Sequence, residues 1–350
     1  MKALICHGPG KITCESVPDP KLFDENSAIV RTTLCAICGS DLHPYHVDLR
    51  RAAYSIGHEA VGEVVEVGRG VKNFAVGDRV LLPATLSCGR CRPSLEGNVV
   101  LCQTNKTLRA FGQGANGIGG CQAQAVVAPL ADLNLFHLPD NLSDEVGLML
   151  TDTLGTAWMA ARRARVGPGD TVAVIGLGAV GLQAIICAMA MGAERVIGID
   201  LLANRRLIAT ELGADTVEDS DVIAGVAALT GDRGVDVVID ANGGPITTAL
   251  AVDLIGKGGR VSVVGISEQF TIPFPIKTGL YKNLEFHTGI CSAQLEVPHL
   301  LRELETGKLN VKSLESLFTH RMGLSEGSDA YQFFNQRRNN VLKIALDPSA

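Results

Sequence analysis

Thr171-Val172-Ala173-Val174-Ile175-Gly176-Leu177-Gly178-Ala179-Val180-Gly181 is the stretch that decides the fold. Five apolar-leaning, β-favouring residues run straight into G-x-G-x-x-G, and an apolar helical run to Met191 follows. In a strand–turn–helix unit each glycine has its own reason. Gly176 permits the tight turn, Gly178 lets the backbone approach a pyrophosphate, and Gly181 lets helix and strand pack closely. The helix start at Ala179 and Val180 offers free N–H groups and a positive dipole end to phosphates. Asp200 ends the next strand, 19 residues after Gly181. A carboxylate there accepts the ribose hydroxyls of adenosine and repels a 2′-phosphate, so NAD is the expected cofactor and NADP the second choice. Arg205 follows closely and counts among the cofactor-binding candidates, since an arginine near that acid can serve a 2′-phosphate.

Working outward, strands are expected at Thr171–Ile175, Arg195–Ile199, Asp215–Val217, Val235–Ile239 and Arg260–Val264. Helices are expected between them at Ala179–Met191, Ala203–Leu212, Val222–Leu229 and Ile246–Ile255, with Gly192, Gly213 and Gly231 where C-caps are wanted. Alternating strand and helix predicts an α/β unit with a doubly wound parallel sheet. Before about residue 150 the style differs. Short β segments such as Ala28–Thr32, Val61–Val67 and Asp78–Leu82 alternate with Gly and Pro, which predicts a β-rich, barrel-like domain. After about residue 291 the pattern turns irregular and ends in the strand-like Val341–Leu346, expected to return to the first domain. The expected organisation is 1–152, a dinucleotide domain at 153–291, and a return segment at 292–350.

The 350 residues are 46% hydrophobic and 19% charged, with a formal net charge of −6, enough apolar material for two cores. Lys and Arg form no dense cluster, so neither nucleic acid nor an anionic membrane is an expected partner. The start, Met1–Cys6, has no signal-peptide pattern. The charge-free stretch Thr171–Ala193 is broken by glycines, so it reads as a buried strand, turn and helix rather than a membrane span. The expected location is cytoplasmic, where the ten cysteines are reduced thiols or metal ligands. Cys6, Cys14, Cys35, Cys187 and Cys291 read as small core residues.

Three separated segments carry groups able to bind zinc: Cys35–His43, Gly57–Gly62 and Leu150–Thr156. A catalytic zinc needs about three protein ligands and one open position. Cys38, His58 and Asp152 offer one soft, one borderline and one hard donor, although spacing alone does not assemble them. Gly57-His58-Glu59 with Gly62, Gly68 and Val71 matches the zinc alcohol dehydrogenase signature, and Cys38-Gly39-Ser40-Asp41 and Val76–Val80 are similar to further segments of that family. With the glycine fingerprint in the right order, the whole chain resembles the zinc-dependent medium-chain dehydrogenase/reductase (alcohol dehydrogenase) family. The resemblance implies a GroES-like catalytic domain beside a Rossmann domain. It implies that Cys38, His58 and Asp152 coordinate a catalytic zinc, with Glu59 as a nearby carboxylate. Aspartate at the third position looks like secondary-alcohol dehydrogenases and bacterial formaldehyde dehydrogenases.

The implied activity is reversible hydride transfer between a small or secondary alcohol and NAD, giving an aldehyde or ketone. Polyol, amino-alcohol and formaldehyde dehydrogenases of the same family are the alternatives. A zinc-free quinone reductase or non-enzymatic NAD(P)H-binding protein is the reading from another class, opposed by the intact Cys38, His58, Glu59 and Asp152. Ser40 and His43, three residues apart, are spaced to pass the hydroxyl proton to solvent, as the family's relay does. Phe111, Leu154 and Trp158, with the loop residues Tyr45, Val47, Leu49 and Tyr54, are candidates to shape the substrate pocket. As in relatives, a homodimer or homotetramer is expected. Relatives also often carry a structural zinc on C-x2-C-x2-C-x7-C. Here Cys88, Cys91 and Cys102 keep the spacing, but position 94 is Ser, and Cys121 is the one further thiol weighed as a replacement. A structural site normally needs four Cys or His ligands. The expectation is therefore one tightly held zinc per chain, the lobe metal being absent or labile.

Overall fold

The computed structural model describes residues 1–48, 52–104, 109–113, 118–218, 221–267, 269 and 271–350, so Leu49 lies outside the described residues. The chain divides into two compact units: Met1–Gly155 with Cys291–Arg302 and Leu314–Ala350, and Thr156–Ile290 with Glu303–Ser313. The return segment therefore begins in the first unit at Cys291, and the stretch 303–313 packs with the second.

The second unit is built on six parallel strands. Across the sheet they run Asp215–Val217, Arg195–Ile199, Thr171–Ile175, Val235–Asp240, Ile255–Val263 and Glu285–Thr288. Numbered along the chain this is the order 3-2-1-4-5-6, the doubly wound Rossmann arrangement. The order reverses beside Thr171–Ile175, and the glycine loop leaves the sheet at that strand. Val172, Val174, Ile197, Val237 and Ile239 have no exposure, which is why these strands read as apolar runs rather than alternations. Helices Ala179–Ala190, Ala203–Glu211, Val222–Thr230 and Pro245–Leu254 connect the strands. Their ends follow local chemistry. The Asp221 side chain accepts from the Ala224 amide to start one, and Gly231, at φ +57°, ends it. The Lys282 ammonium closes another, donating to the carbonyls of Val252, Asp253 and Ile255 at 2.7–2.8 Å.

Two features of this sheet escaped the sequence reading. The fifth strand starts at Ile255, because Gly256, Gly258 and Gly259 conceal its first half and its register shifts opposite Val235 and Val237. The sixth, Glu285–Thr288, is a short, mostly exposed edge strand with no apolar alternation to mark it.

In the first unit one sheet runs His320–Gly323, Ile344–Asp347, Ala28–Ile37, Ala60–Val67, Arg79–Leu82 and Phe136–His137, with Ala125–Ala128 also on Ala28–Ile37. A second sheet pairs Ile12–Ser16, Lys2–Cys6 and Tyr54–Ser55. Leu4, Val30, Ile37, Val64, Leu82 and Tyr331 contribute to the core. Phe111, weighed as a pocket residue, also lies in that core with no exposure. The last strand begins at Ile344 rather than Val341, because Val341 closes a turn over Arg338–Asn340. It pairs antiparallel with the longest strand, Ile344 opposite Ile37 and Leu346 opposite Cys35. Of the cysteines assigned to cores, Cys6, Cys35, Cys187 and Cys291 are buried and Cys14 is half-buried. No helix among the described residues is long and apolar enough to cross a membrane.

Candidate active site

Cys38 follows the long strand Ala28–Ile37, and its extended backbone starts the 3-10 turn Gly39–Asp41. His58 and Glu59 precede the strand Ala60–Val67, to which Ala28–Ile37 pairs with Cys35 opposite Ala60. Asp152 sits in the turn between helices Asp144–Leu150 and Thr153–Arg163, where the Thr151 carbonyl accepts from the Ala84 amide at 2.9 Å. The register of one strand pair and one turn contact thus collect donors that are far apart in sequence. One ligand atom from each of Cys38, His58, Glu59 and Asp152 lies within 4.8 Å of the others. Cys38 Sγ stands 3.5 Å and His58 Nε2 3.2 Å from Asp152 Oδ2. Ligands at about 2.0–2.3 Å around a tetrahedral zinc stand roughly 3.3–3.8 Å apart, so the spacings fit one ion.

The surroundings fix the donors. Asp41 Oδ1 lies 3.2 Å from His58 Nδ1, which leaves Nε2 facing the cluster. Asp41 Oδ2 accepts from the Cys38 amide at 3.0 Å and from the Gln122 amide side chain at 3.2 Å. Gln122 also donates to the Ala36 carbonyl at 2.9 Å and accepts from the Tyr331 hydroxyl at 2.8 Å. A buried chain of hydrogen bonds therefore runs from Tyr331 through Gln122 and Asp41 to His58. Glu59, fully buried, pairs through Oε2 with the ammonium of Lys343, itself 1% exposed. Glu59 Oε1 is buried with no hydrogen-bond partner.

With only protein charges acting, burial pushes the Cys38 thiol up. Burial also raises Glu59, against the pull of Lys343. Burial alone would lower His58, yet Asp41 and the other acidic neighbours hold it well above the usual imidazole range. Burial would raise Asp152, but His58 holds it below the usual carboxylate range. Cys38, Asp41, Glu59 and Asp152 gather four acidic groups against two cationic partners, the Lys343 ammonium and the His58 ring. An orphaned carboxylate oxygen, a mixed sulfur, nitrogen and oxygen donor set and this acidic surplus all fit a divalent cation.

Ser40 reaches the cluster, donating to Cys38 Sγ at 3.2 Å with His58 Nε2 3.4 Å away. His43 lies half-buried in the following helix, Leu42–His46. Asp41, Gln122, Tyr331 and Lys343 were missed by the sequence reading. Lys343 had a signal, a lone charge inside the apolar run Val341–Leu346. Asp41 follows Ser40 within the segment Cys38–Asp41, whereas Gln122 and Tyr331 carry no mark.

The glycine loop lies in the second unit. Gly176 takes φ +86°, and a Cβ on Gly181 would stand 1.9 Å from the Gly176 carbonyl oxygen, so neither position accepts a side chain without rearrangement. Gly178 precedes the first turn of Ala179–Ala190, which begins with Ala179 and Val180. Asp200 accepts from the Leu177 amide and the Leu202 amide, each at 2.8 Å. Arg205 lies 3.6 Å from Asp200 Oδ2, and its guanidinium is the nearest group to a Cβ built on Gly178, at 3.9 Å. The arginine is thus held by the acid, next to the glycine loop.

In the lobe, Cys88 Sγ and Cys91 Sγ are 3.6 Å apart and Cys91 and Cys102 3.8 Å apart. Cys121 does not join them. It is buried in the barrel core, its amide donates to the Gly57 carbonyl at 2.8 Å, and its thiol feels the charges of His58, Asp41 and Glu59.

Residues 24–140 match the alcohol dehydrogenase GroES-like domain family, and residues 179–306 match the zinc-binding dehydrogenase family. The chain is 34% identical to an alcohol dehydrogenase of Cupriavidus necator, covering 99% of both chains. It is 30% identical to the sorbitol dehydrogenase of Bacillus subtilis, covering 100% of this chain and 98% of that one. Alcohol dehydrogenase TADH from Thermus sp. ATN1 superposes with a TM-score of 0.90 at 34% identity over 99% of each chain. A Rossmann unit joined to a barrel with a Cys, His and carboxylate cluster defines the class of metal-dependent nucleotide-linked dehydrogenases. The chain belongs to the zinc-dependent medium-chain dehydrogenase/reductase family of alcohol dehydrogenases. It is an oxidoreductase acting on alcohols.

The hydrogen-bond chain behind His58 generates the first prediction. Gln122→Leu removes a donor from Asp41 and leaves the buried Tyr331 hydroxyl unpaired. Groups that orient metal ligands typically contribute about 10–100-fold in metal affinity. Zinc affinity, measured by competition with a chromogenic chelator, is expected to fall at least about tenfold in Gln122→Leu and less in Tyr331→Phe. Unchanged affinity in a folded Gln122→Leu protein would refute the positioning role.

Proposed function

We propose that Cys38, His58 and Asp152 hold the catalytic zinc, that Glu59 stands beside it, and that the second unit binds NAD. The observation that carries this reading is the gathering of four donors within 4.8 Å. When bound, zinc supplies Lewis acidity to an alcohol oxygen and the nicotinamide accepts hydride. The protein's own contribution is orientation and proton handling. Asp41 fixes the His58 ring, and the Lys343 ammonium pairs with the buried Glu59 carboxylate. Ser40, at hydrogen-bond distance from the cluster, takes the hydroxyl proton and passes it toward His43 and solvent. Gly178 leaves the pyrophosphate room to approach, Gly176 and Gly181 hold the turn and its close packing, and Ala179 and Val180 present helix N–H groups to the phosphates.

The substrate is proposed to be a small or secondary alcohol, interconverted with its aldehyde or ketone. A polyol is the second reading, supported by the likeness to a sorbitol dehydrogenase. The protein is proposed to act in the cytoplasm.

Three outcomes follow. Cys38→Ala or His58→Ala is expected to abolish NAD reduction by alcohols, while NAD affinity measured by titration calorimetry stays as in the parent protein. Full turnover in chelator-stripped protein would sink the metal assignment.

Asp200 places a fixed negative charge where a 2′-phosphate would sit, a like-charge contact of about 1–3 kcal/mol. NAD is therefore expected to exceed NADP in kcat/KM by at least about tenfold. Asp200→Ser, with Arg205 released from its partner, is expected to narrow that gap. Equal kcat/KM for both cofactors in the parent enzyme contradicts the proposal.

Ile276, Leu280 and Tyr281 are more than two-thirds exposed and Phe286 lies on the uncovered edge strand, the features of a surface that pairs with another copy. A homodimer or homotetramer is proposed, and light scattering at micromolar concentration should give a mass of two or four chains. A single-chain mass excludes it.

A further inference from the structure

The lobe thiols take no part in the chemistry proposed above, yet they are built around a single point. Zinc–thiolate bonds of about 2.3 Å in a tetrahedron put neighbouring sulfurs roughly 3.8 Å apart. The distances Cys88–Cys91, 3.6 Å, and Cys91–Cys102, 3.8 Å, fall at that value. Ser94 Oγ lies 3.4 Å from Cys88 Sγ, and Ser94 is only 4% exposed. Its short helix, Arg92–Leu95, starts directly from Cys91, and the Ser87 hydroxyl donates to the Ser94 carbonyl at 3.3 Å. The hydroxyl is thus held against the sulfurs rather than turned to water. The Gln103 amide donates to Cys91 Sγ at 3.4 Å, a contact that favours the thiolate. The serine has not dismantled the lobe; it fills the corner where the fourth sulfur would stand.

We propose that Cys88, Cys91, Cys102 and Ser94 form a three-thiolate, one-hydroxyl site that binds a thiophilic divalent cation reversibly, rather than a closed structural zinc. Three thiolates give the site its affinity and its preference for soft cations. The neutral hydroxyl is a weak donor near neutral pH, so one corner opens and the ion exchanges with solution. Zinc fills the site when supplied, and cadmium, softer than zinc, displaces it.

The test uses the full-length, zinc-loaded protein and reads metal, not activity, so its failure leaves the alcohol reading untouched. The parent protein is expected to yield two zincs per chain when loaded and to lose one to dialysis against a mild chelator. Ser94→Cys is expected to keep both, to release the second at least about tenfold more slowly, and to melt at a higher temperature. Cadmium added to the parent should develop a thiolate charge-transfer absorption saturating at one equivalent, and Ser94→Ala should weaken that binding. If Ser94→Cys fails to fold, the comparison of parent with Ser94→Ala still decides. A parent protein that holds both zincs as firmly as Ser94→Cys, that takes no second metal, or that matches Ser94→Ala in cadmium affinity overturns the proposal.

Discussion

The architecture of the first unit turns on one buried ion pair. Glu59 and Lys343 are both removed from water, the carboxylate without exposure and the ammonium at 1%. Two charges in such a place are tolerated only together, since breaking a buried pair typically costs about 3–5 kcal/mol. The pair also joins distant parts of the chain. Glu59 precedes Ala60–Val67, and Lys343 precedes Ile344–Asp347, the two strands that flank Ala28–Ile37. The strand that ends just before Cys38 is thereby held on both sides, with Lys343 brought under the cluster. The donor cluster and the barrel are therefore one electrostatic problem. Acidic groups collected for a dication need a protein cation beneath them, and the sheet puts it there.

The second unit answers a different constraint, close approach of backbone to backbone in the glycine loop. Gly181 is pressed against the Gly176 carbonyl, and Asp200 is pinned by two amides. Such rigidity matters for the proposed preference for NAD, which depends on one carboxylate remaining where it is. Arg205 shows how finely the balance is set. Its charge lies beside the glycine loop, but Asp200 has already engaged it.

Much of this was legible in the sequence, for stated physical reasons. Periodicity and glycine placement gave the Rossmann strands closely, because both-face burial makes them continuous apolar runs. The edge strand Glu285–Thr288 was invisible because an edge has no burial to record. Cys38, His58, Glu59 and Asp152 could be named only through motif resemblance. Their meeting depends on strand register and on the turn at Thr151, which spacing does not encode. Gln122 and Tyr331 act through hydrogen bonds to other side chains, and nothing about a lone Gln or Tyr announces that. Lys343 was readable in principle, since a lysine inside the apolar run Val341–Leu346 has to find a partner. Cys121 shows the reverse error. It was the one further thiol weighed for the lobe, while the fold buries it in the barrel.

The return of the chain to its first unit sets an order of events during biosynthesis. Polypeptides emerge from the ribosome N-terminus first, and domains generally fold as units once complete. Here Cys38, His58 and Asp152 emerge before the whole Rossmann unit, while the strand Ile344–Asp347 and Lys343 follow it. The strand that pairs with Ala28–Ile37 and the ammonium that pairs with Glu59 are therefore the last of these parts to be synthesised. A chain interrupted before that point carries Cys38, His58, Glu59 and Asp152 without the strand and the ammonium packed beside them, which ties completion of the donor cluster to synthesis of Lys343–Asp347.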